Sequence, residues 1–218
     1  MTDKKQALLF SADEIQNKNK KDWIGNSNSI YKTLGASNHT KEDRENNDFY
    51  ATDPKAAELL LTLENIDKNI WEPSCGEGHL SRVFLSHGHS VYSSDLINRG
   101  FESDIIDFLT CEKRFDGDII TNPPYSIAQE FIEKALDLVY TGNKVAMFLK
   151  LQFMEGKKRK LLFTKYPPQT IYVSSSRILC AKNAEFYKMI AGGGSAVAYA
   201  WFVWRKGFTG NTTIKWFN

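Results

Sequence analysis

Apolar positions recur along this chain in two rhythms. Between Pro54 and Glu64, residues Ala56, Leu59, Leu60 and Leu63 follow helical spacing behind a proline suited to a first turn, and Ile127, Phe131, Ala135 and Leu138 repeat that spacing up to Val139. Strand-length apolar runs separate and follow these segments: Asn69 to Glu72, Ser90 to Ser94, the short pair Ile105-Ile106, Asp118 to Thr121, Lys144 to Lys150, Thr170 to Ser175 and Ala196 to Trp204. The last is apolar at successive positions, as a central strand covered on both faces is. Its Tyr199, Trp201, Phe202 and Trp204 are therefore expected in the core. Before residue 49 the pattern fades into a polar stretch rich in Asn, Lys and Asp, within which only Ser29 to Gly35 is apolar enough to dock. Such a composition predicts a partly flexible segment over 1–48, followed by one domain over 49–218. No internal repeat is evident.

Composition narrows the class. With 218 residues, 42% hydrophobic and 13% aromatic, the chain can bury the core of a single α/β domain. No run approaches the roughly eighteen apolar residues of a membrane span, and the start is too polar for a signal peptide, so a cytoplasmic protein is expected. Cys75, Cys111 and Cys180 are odd in number and far apart, which argues against a disulfide framework or a zinc site. His87-Gly88-His89 sits at a helix-to-strand turn without a nearby third ligand, and no metal is expected there.

Chemistry is concentrated in a few short segments. The strand Asn69 to Glu72 runs into Pro73-Ser74-Cys75-Gly76-Glu77-Gly78 and a helix near His79. Gly76 and Gly78 let backbone approach a ligand at the helix N-terminus. Ser81 stands where a dinucleotide fingerprint needs its third glycine, which disfavours hydride chemistry. Asp95 ends the next strand, where an acidic residue grips ribose hydroxyls in nucleotide-binding β-α-β units. Asp107 follows the short apolar pair and could take an adenine amino group, with Phe108 beside its ring. Any one of these aspartates could equally be an ordinary cap or turn residue.

Further on, Asp118 to Thr121 is followed by Asn122-Pro123-Pro124-Tyr125. Pro123 lacks an N–H and Pro124 biases it away from helical angles, so the Pro123 carbonyl is aimed rigidly beyond the strand end. An Asn oxygen and that carbonyl can accept the hydrogens of an amino group, and Tyr125 offers a ring for a planar base. An X-Pro-Pro-X stretch also occurs as a plain strand-to-loop stop.

Together these residues resemble the class I S-adenosylmethionine-dependent methyltransferases, and within them the DNA N6-adenine methyltransferases of small phage and prophage type. The resemblance covers roughly Ser29 to the C-terminus. It implies a Rossmann-like, seven-stranded sheet, mostly parallel with a final antiparallel strand and with helices on both faces. Glu72, Ser74, Gly76 and Gly78 would form the cofactor loop, Asp95 the ribose contact, Asp107 and Phe108 the adenine contact, and Asn122 to Tyr125 the catalytic tetrad. Tyr50 and Thr52, in Phe49 to Pro54, resemble the segment that closes over the methionine end of the cofactor, although Asp53 stands between Thr52 and the proline that usually follows directly. The same tetrad resembles that of RNA methyltransferases and of protein glutamine methyltransferases. A non-catalytic DNA-binding protein retaining the fold is the reading from another class.

Charge separates along the chain although the total is only +2. Basic and acidic residues number 8 and 8 over 1–48, 7 and 16 over 49–143, and 13 and 2 over 144–218. An acidic middle suits a ligand carrying a sulfonium and an ammonium. A basic last third suits a polyanion, with nucleic acid the natural candidate, and the resemblance places DNA first and RNA second. The densest run, Lys157-Lys158-Arg159-Lys160, leaves the strand Lys144 to Lys150 on the edge where doubly wound sheets bind ligands. It is expected near the tetrad as a phosphate-binding element; a merely solvated helix face is the competing expectation.

Overall fold

A computed structural model describes residues 50–182, 184–191 and 195–217. The polar segment 1–48, including Ser29 to Gly35, and the connection Gly192-Gly193-Gly194 lie outside the described residues. In chain order the elements are β1 (Tyr50–Thr52), α1 (Lys55–Leu63), β2 (Asn69–Glu72), α2 (His79–Ser86), β3 (Ser90–Asp95), β4 (Asp104–Ile105), β5 (Asp118–Thr121), α3 (Ala128–Leu138), β6 (Lys144–Lys150), α4 (Lys157–Lys165), β7 (Thr170–Ser174), β8 (Cys180–Lys182), α5 (Phe186–Ala191), β9 (Tyr199–Arg205) and β10 (Thr213–Phe217). Short 3-10 turns at Phe108–Thr110, Tyr125–Ile127 and Leu151–Met154 connect them.

Eight strands form the main sheet in the order β10-β7-β9-β6-β5-β2-β3-β4. All neighbours pair in parallel except β9, which runs antiparallel between β6 and β7. The expected sheet is therefore present with its antiparallel strand, and the count of seven is corrected to eight. The added strand is β10, which pairs parallel to β7 at the edge. Its Ile214, Lys215 and Trp216 are exposed and only Phe217 is buried, so it lacks the buried alternation by which a strand is recognised. A second, two-stranded ribbon joins β1 and β8 antiparallel, with Thr52 opposite Cys180. Three-residue strands leave no periodic signal, and this pairing spans more than a hundred positions.

Side-chain alternation across the sheet divides the core into two layers. Val145, Met147 and Leu149 of β6 and Ala200, Phe202 and Trp204 of β9 face the layer shared with α3; Ala146, Phe148, Tyr199, Trp201 and Val203 face that of α1 and α2. Both buried indoles of β9 find acceptors: Trp201 Nε1 donates to the Ala56 carbonyl at 2.8 Å, and Trp204 Nε1 to the Tyr166 carbonyl at 2.9 Å. At the opposite end of the strands from the glycine loop, the buried Asp118 carboxylate accepts from the amides of Asp67 at 2.8 Å and Lys144 at 2.6 Å, tying the starts of β5 and β6 to the approach to β2. Burial raises its pKa while those amides oppose the rise.

His87 and His89 are held apart by local partners, His87 Nε2 lying 3.1 Å from Glu58 and His89 Nδ1 lying 2.8 Å from the Asp67 carbonyl. Among the described residues no three potential metal ligands gather. No helix among them is long and apolar enough to cross a membrane.

Candidate active site

The loop after β2 is built on two left-handed glycines, Gly76 at φ 56° and Gly78 at φ 75°. A Cβ on Gly78 would lie 2.5 Å from the Phe101 ring, so this position is closed to other residues by conformation and by space. The Gly76 amide donates to Asp95 Oδ2 at 2.8 Å and the Ile97 amide to Oδ1 at 3.1 Å. Asp95 thus shapes the loop as well as ending β3. The Ser74 hydroxyl donates to the Asn122 carbonyl at 3.1 Å and pairs with the Thr121 hydroxyl at 2.7 Å, joining the loop to the end of β5.

Glu72 closes β2 with 2% of its surface exposed, and its carboxylate is met by the Ser81 hydroxyl of α2. Burial pushes the acid up to about 8, against the lowering effect of the Ser81 hydrogen bonds. Burial also raises the Cys75 thiol to about 12 and the Cys180 thiol to about 11, so neither supplies a thiolate nucleophile near neutral pH.

Asn122 leaves the buried end of β5. Its Nδ2 donates to the Thr52 hydroxyl oxygen at 2.8 Å and to the Tyr50 carbonyl at 3.3 Å, while its Oδ1 is buried and has no hydrogen-bond partner. The Tyr50 carbonyl can only accept, which assigns the NH₂ to the β1 side and the free oxygen to the other. Pro124 holds φ −55° and ψ 123°, after which Tyr125 opens a 3-10 turn. Around the Tyr125 ring lie the Lys150 ammonium, 4.6 Å from its centroid, and the rings of Tyr50 and Tyr199 at 5.6 and 6.3 Å. The Tyr125 hydroxyl is buried without a well-formed hydrogen bond, and burial raises its pKa well above 10.

A cavity of about 240 Å³ opens at the strand ends between these segments. Of the residues singled out in the sequence, Tyr50, Thr52, Glu72, Ser74, Asp95, Asp107, Phe108, Asn122, Pro123, Pro124 and Tyr125 line it together. Gly76 and Gly78 shape the loop behind the wall. Asp107 is exposed, and one of its carboxylate oxygens caps the next turn by accepting from the Leu109 amide at 3.0 Å. Phe108 reaches the wall from the core. It is 2% exposed, edge-on to Trp71 at 5.1 Å and 4.9 Å from Phe131, so it supports the wall more than it offers a free stacking face.

Lys157, Lys158, Arg159 and Lys160 are not among the residues that line the cavity. The turn Leu151–Met154 carries the chain away from β6 first, anchored by buried Phe153, and the run becomes the first turns of α4. Its three lysines are exposed; the Arg159 guanidinium instead lies 4.2 Å over the Phe153 ring. Several wall residues were not singled out as site residues in the sequence: His79, Leu96, Arg99, Ile106 and Ile127. Position alone pointed to His79, the first residue of α2, whose pKa is lowered mainly by burial.

No family model matches the chain, and no curated protein matches it. Solved structures do. A protein from Pyrococcus horikoshii described as a presumed RNA methyltransferase superposes with a TM-score of 0.58 at 17% identity, over 82% of this chain and 97% of that one. One from Listeria monocytogenes, described as a presumed class I S-adenosylmethionine-dependent methyltransferase, gives 0.52 at 11% identity, over 86% and 69%. The type IIG restriction endonuclease BpuSI gives 0.52 at 14% identity over 76% of this chain, which matches only 26% of that much longer protein. At these identities the likeness is one of fold: the chain has the Rossmann-like α/β architecture of the methyltransferase structures it matches.

Proposed function

We propose that the protein is an S-adenosylmethionine-dependent methyltransferase whose acceptor is the exocyclic amino nitrogen of a nucleobase, the N6 of adenine in DNA. One observation carries this reading: the Asn122 Oδ1 is buried in a cavity-lining residue and unpartnered, while the other end of the same amide is held from behind. An unpaired buried acceptor costs about 1–3 kcal/mol, which a ligand N–H placed against it recovers.

The rest of the cavity fits the cofactor. Glycines at 76 and 78 shape a loop against a helix N-terminus, Leu96 and Ile106 give apolar wall, and Asp95 uses two acceptor positions on the loop amides, keeping capacity for ribose hydroxyls. When bound, S-adenosylmethionine supplies an electrophilic methyl group on a sulfonium. Asn122 Oδ1 and the Pro123 carbonyl accept the two amino hydrogens and draw them out of the base plane, so the nitrogen lone pair is freed from the ring. That pair would then take the methyl group the cofactor supplies, the displaced sulfur being left as a neutral thioether. The nitrogen, now cationic and acidic, loses its proton to water, and no side-chain base of lowered pKa is needed. Tyr125 packs against the base, which must be rotated out of a duplex or presented single-stranded. The main contribution to rate is then the positioning of two reactants.

The basic last third of the chain supports a nucleic acid of either kind, and the resemblance of the tetrad favours DNA. RNA is the second reading, supported by the description of the Pyrococcus horikoshii protein. Incubation with methyl-labelled cofactor and duplex DNA, single-stranded DNA, RNA or protein, followed by mass identification of the modified unit, tests both. N6-methyladenine in DNA is the expected product. Label in RNA selects the second reading, and label on a protein or an oxygen atom overturns both.

A further inference from the structure

Asn122 can accept from an amino group only if its amide stays in one of two orientations. Rotation by 180° would turn Nδ2 toward the acceptor and set a donor against a donor. Nothing within the tetrad prevents this, since the prolines fix backbone and not the Asn side chain. The neighbours that fix the amide come instead from β1. The Tyr50 carbonyl, 3.3 Å from Nδ2, repels an oxygen placed there and so distinguishes the two ends, while the Thr52 hydroxyl, 2.8 Å from Nδ2, accepts from it and holds the amide in place against that carbonyl. Thr52 is itself 3% exposed and backed by its strand partner Cys180, whose sulfur lies 3.9 Å from the same Nδ2. The Asp53 amide donates to the Leu179 carbonyl at 2.9 Å and extends the ribbon beyond this pair.

We propose that the β1–β8 ribbon is the orienting device of the catalytic asparagine, with Thr52 as a positioning residue that holds the Asn122 amide so that Oδ1 faces the acceptor nitrogen. This rests on the methyl-transfer reading above, and it moves the Thr52 hydroxyl from cofactor contact, its role under the family resemblance, to control of the acceptor side. The ribbon thereby becomes a condition for turnover: an asparagine seventy positions away in sequence is competent only when β1 is docked on β8.

Thr52→Val keeps the shape of the side chain and removes the hydroxyl; Thr52→Ser keeps the hydroxyl. The Val variant is expected to lose about ten- to a hundredfold in kcat, with cofactor Kd within about twofold of wild type, and the Ser variant to recover most of the loss. The Tyr50 carbonyl still opposes rotation in the Val variant, so loss should stop short of that in Asn122→Ala. Independently of turnover, the Asn122 side-chain amide signals in a ¹⁵N-asparagine-labelled protein, assigned by their disappearance in Asn122→Ala, should shift in the Val variant and hold in the Ser variant. Wild-type kcat and unmoved amide signals in Thr52→Val, with Asn122→Ala inactive, would overturn the positioning role and leave the methyl-transfer reading standing. Weakened cofactor binding with kcat restored at saturation would return Thr52 to the cofactor. Wild-type turnover in Asn122→Ala would remove both.

Discussion

Asn122 has a tethered donor end and an open acceptor end, and this asymmetry leads to the sharpest single-residue expectation. Asn122→Ala should abolish methyl transfer while cofactor affinity, followed by calorimetry, remains near wild type, because in the proposed function Oδ1 bonds the acceptor. The Nδ2 bonds to Thr52 and Tyr50 are lost as well, and stability should fall by about 1–3 kcal/mol for the partners left unpaired. Retained transfer would exclude the residue from the chemistry. Asp95 should show the opposite pattern. Its carboxylate braces the Gly76 amide and faces the cavity, so Asp95→Ala should weaken cofactor binding by about 1.5–3 kcal/mol. Calorimetry showing unchanged affinity would move the ribose contact elsewhere. Of these two residues, Asp95 was legible as a strand-end acid and Asn122 as the first member of a tetrad. The tether on Asn122 was not legible, since neither Thr52 nor the Tyr50 carbonyl lies near it in the chain.

Helix α4 and the glycine loop carry the expectations that belong to whole elements. Three exposed lysines on α4 stand clear of the cavity, where they can meet phosphates flanking a base held inside. Changing Lys157, Lys158 and Lys160 to Gln should reduce the slope of log affinity against log salt by roughly 0.7 to 0.9 per lost contact, whatever the base sequence, and leave cofactor affinity unchanged. Nucleic-acid binding titrated across salt concentrations measures this, and an unchanged slope would make the run plain solvated surface. Arg159 is best left in place, because its guanidinium is packed on Phe153. In the loop, Gly78→Ala would need a left-handed alanine with its Cβ 2.5 Å from the Phe101 ring. A loss of about 1 kcal/mol or more in unfolding free energy is expected, together with weaker cofactor binding; full stability in a denaturant titration would show that the loop can refold around the methyl group.

Across the molecule the acid with the clearest leverage on stability is Glu72, raised from 4.5 to about 8 by burial. Its folded pKa lies above its unfolded one, so the contribution is complete below pH 4.5, declines as pH rises, and is lost through pH 8. Between those values wild-type stability should fall relative to Glu72→Gln by up to about 1.4 kcal/mol per pH unit. Denaturant titrations of both proteins at about pH 5 and about pH 8 read this directly. Parallel curves would mean that Glu72 is ionised throughout and paired with a cation in the fold.

Layering was readable from the chain because burial imposes a local period: helical spacing in α1 and α3, and continuous apolar runs in β5, β6 and β9. The glycine loop and the Asn122–Tyr125 segment were readable as turns for a related reason, since glycines, prolines and strand-end acids act on backbone within a few residues of themselves. Elements that borrow their stability from distant partners were not readable. The three-residue strands β1 and β8 form only by pairing with each other, and β10 is held by β7 with most of its own face in water. The wall of the cavity was hidden in the same way: the basic run that follows β6 in sequence is separated from that strand by one turn anchored on Phe153 and is not part of the lining. Local periodicity thus specifies the longer helices and the buried strands. The direction in which the Asn122 amide faces depends on hydrogen bonds between segments that meet only once the sheet has closed, and no pattern along the chain records them.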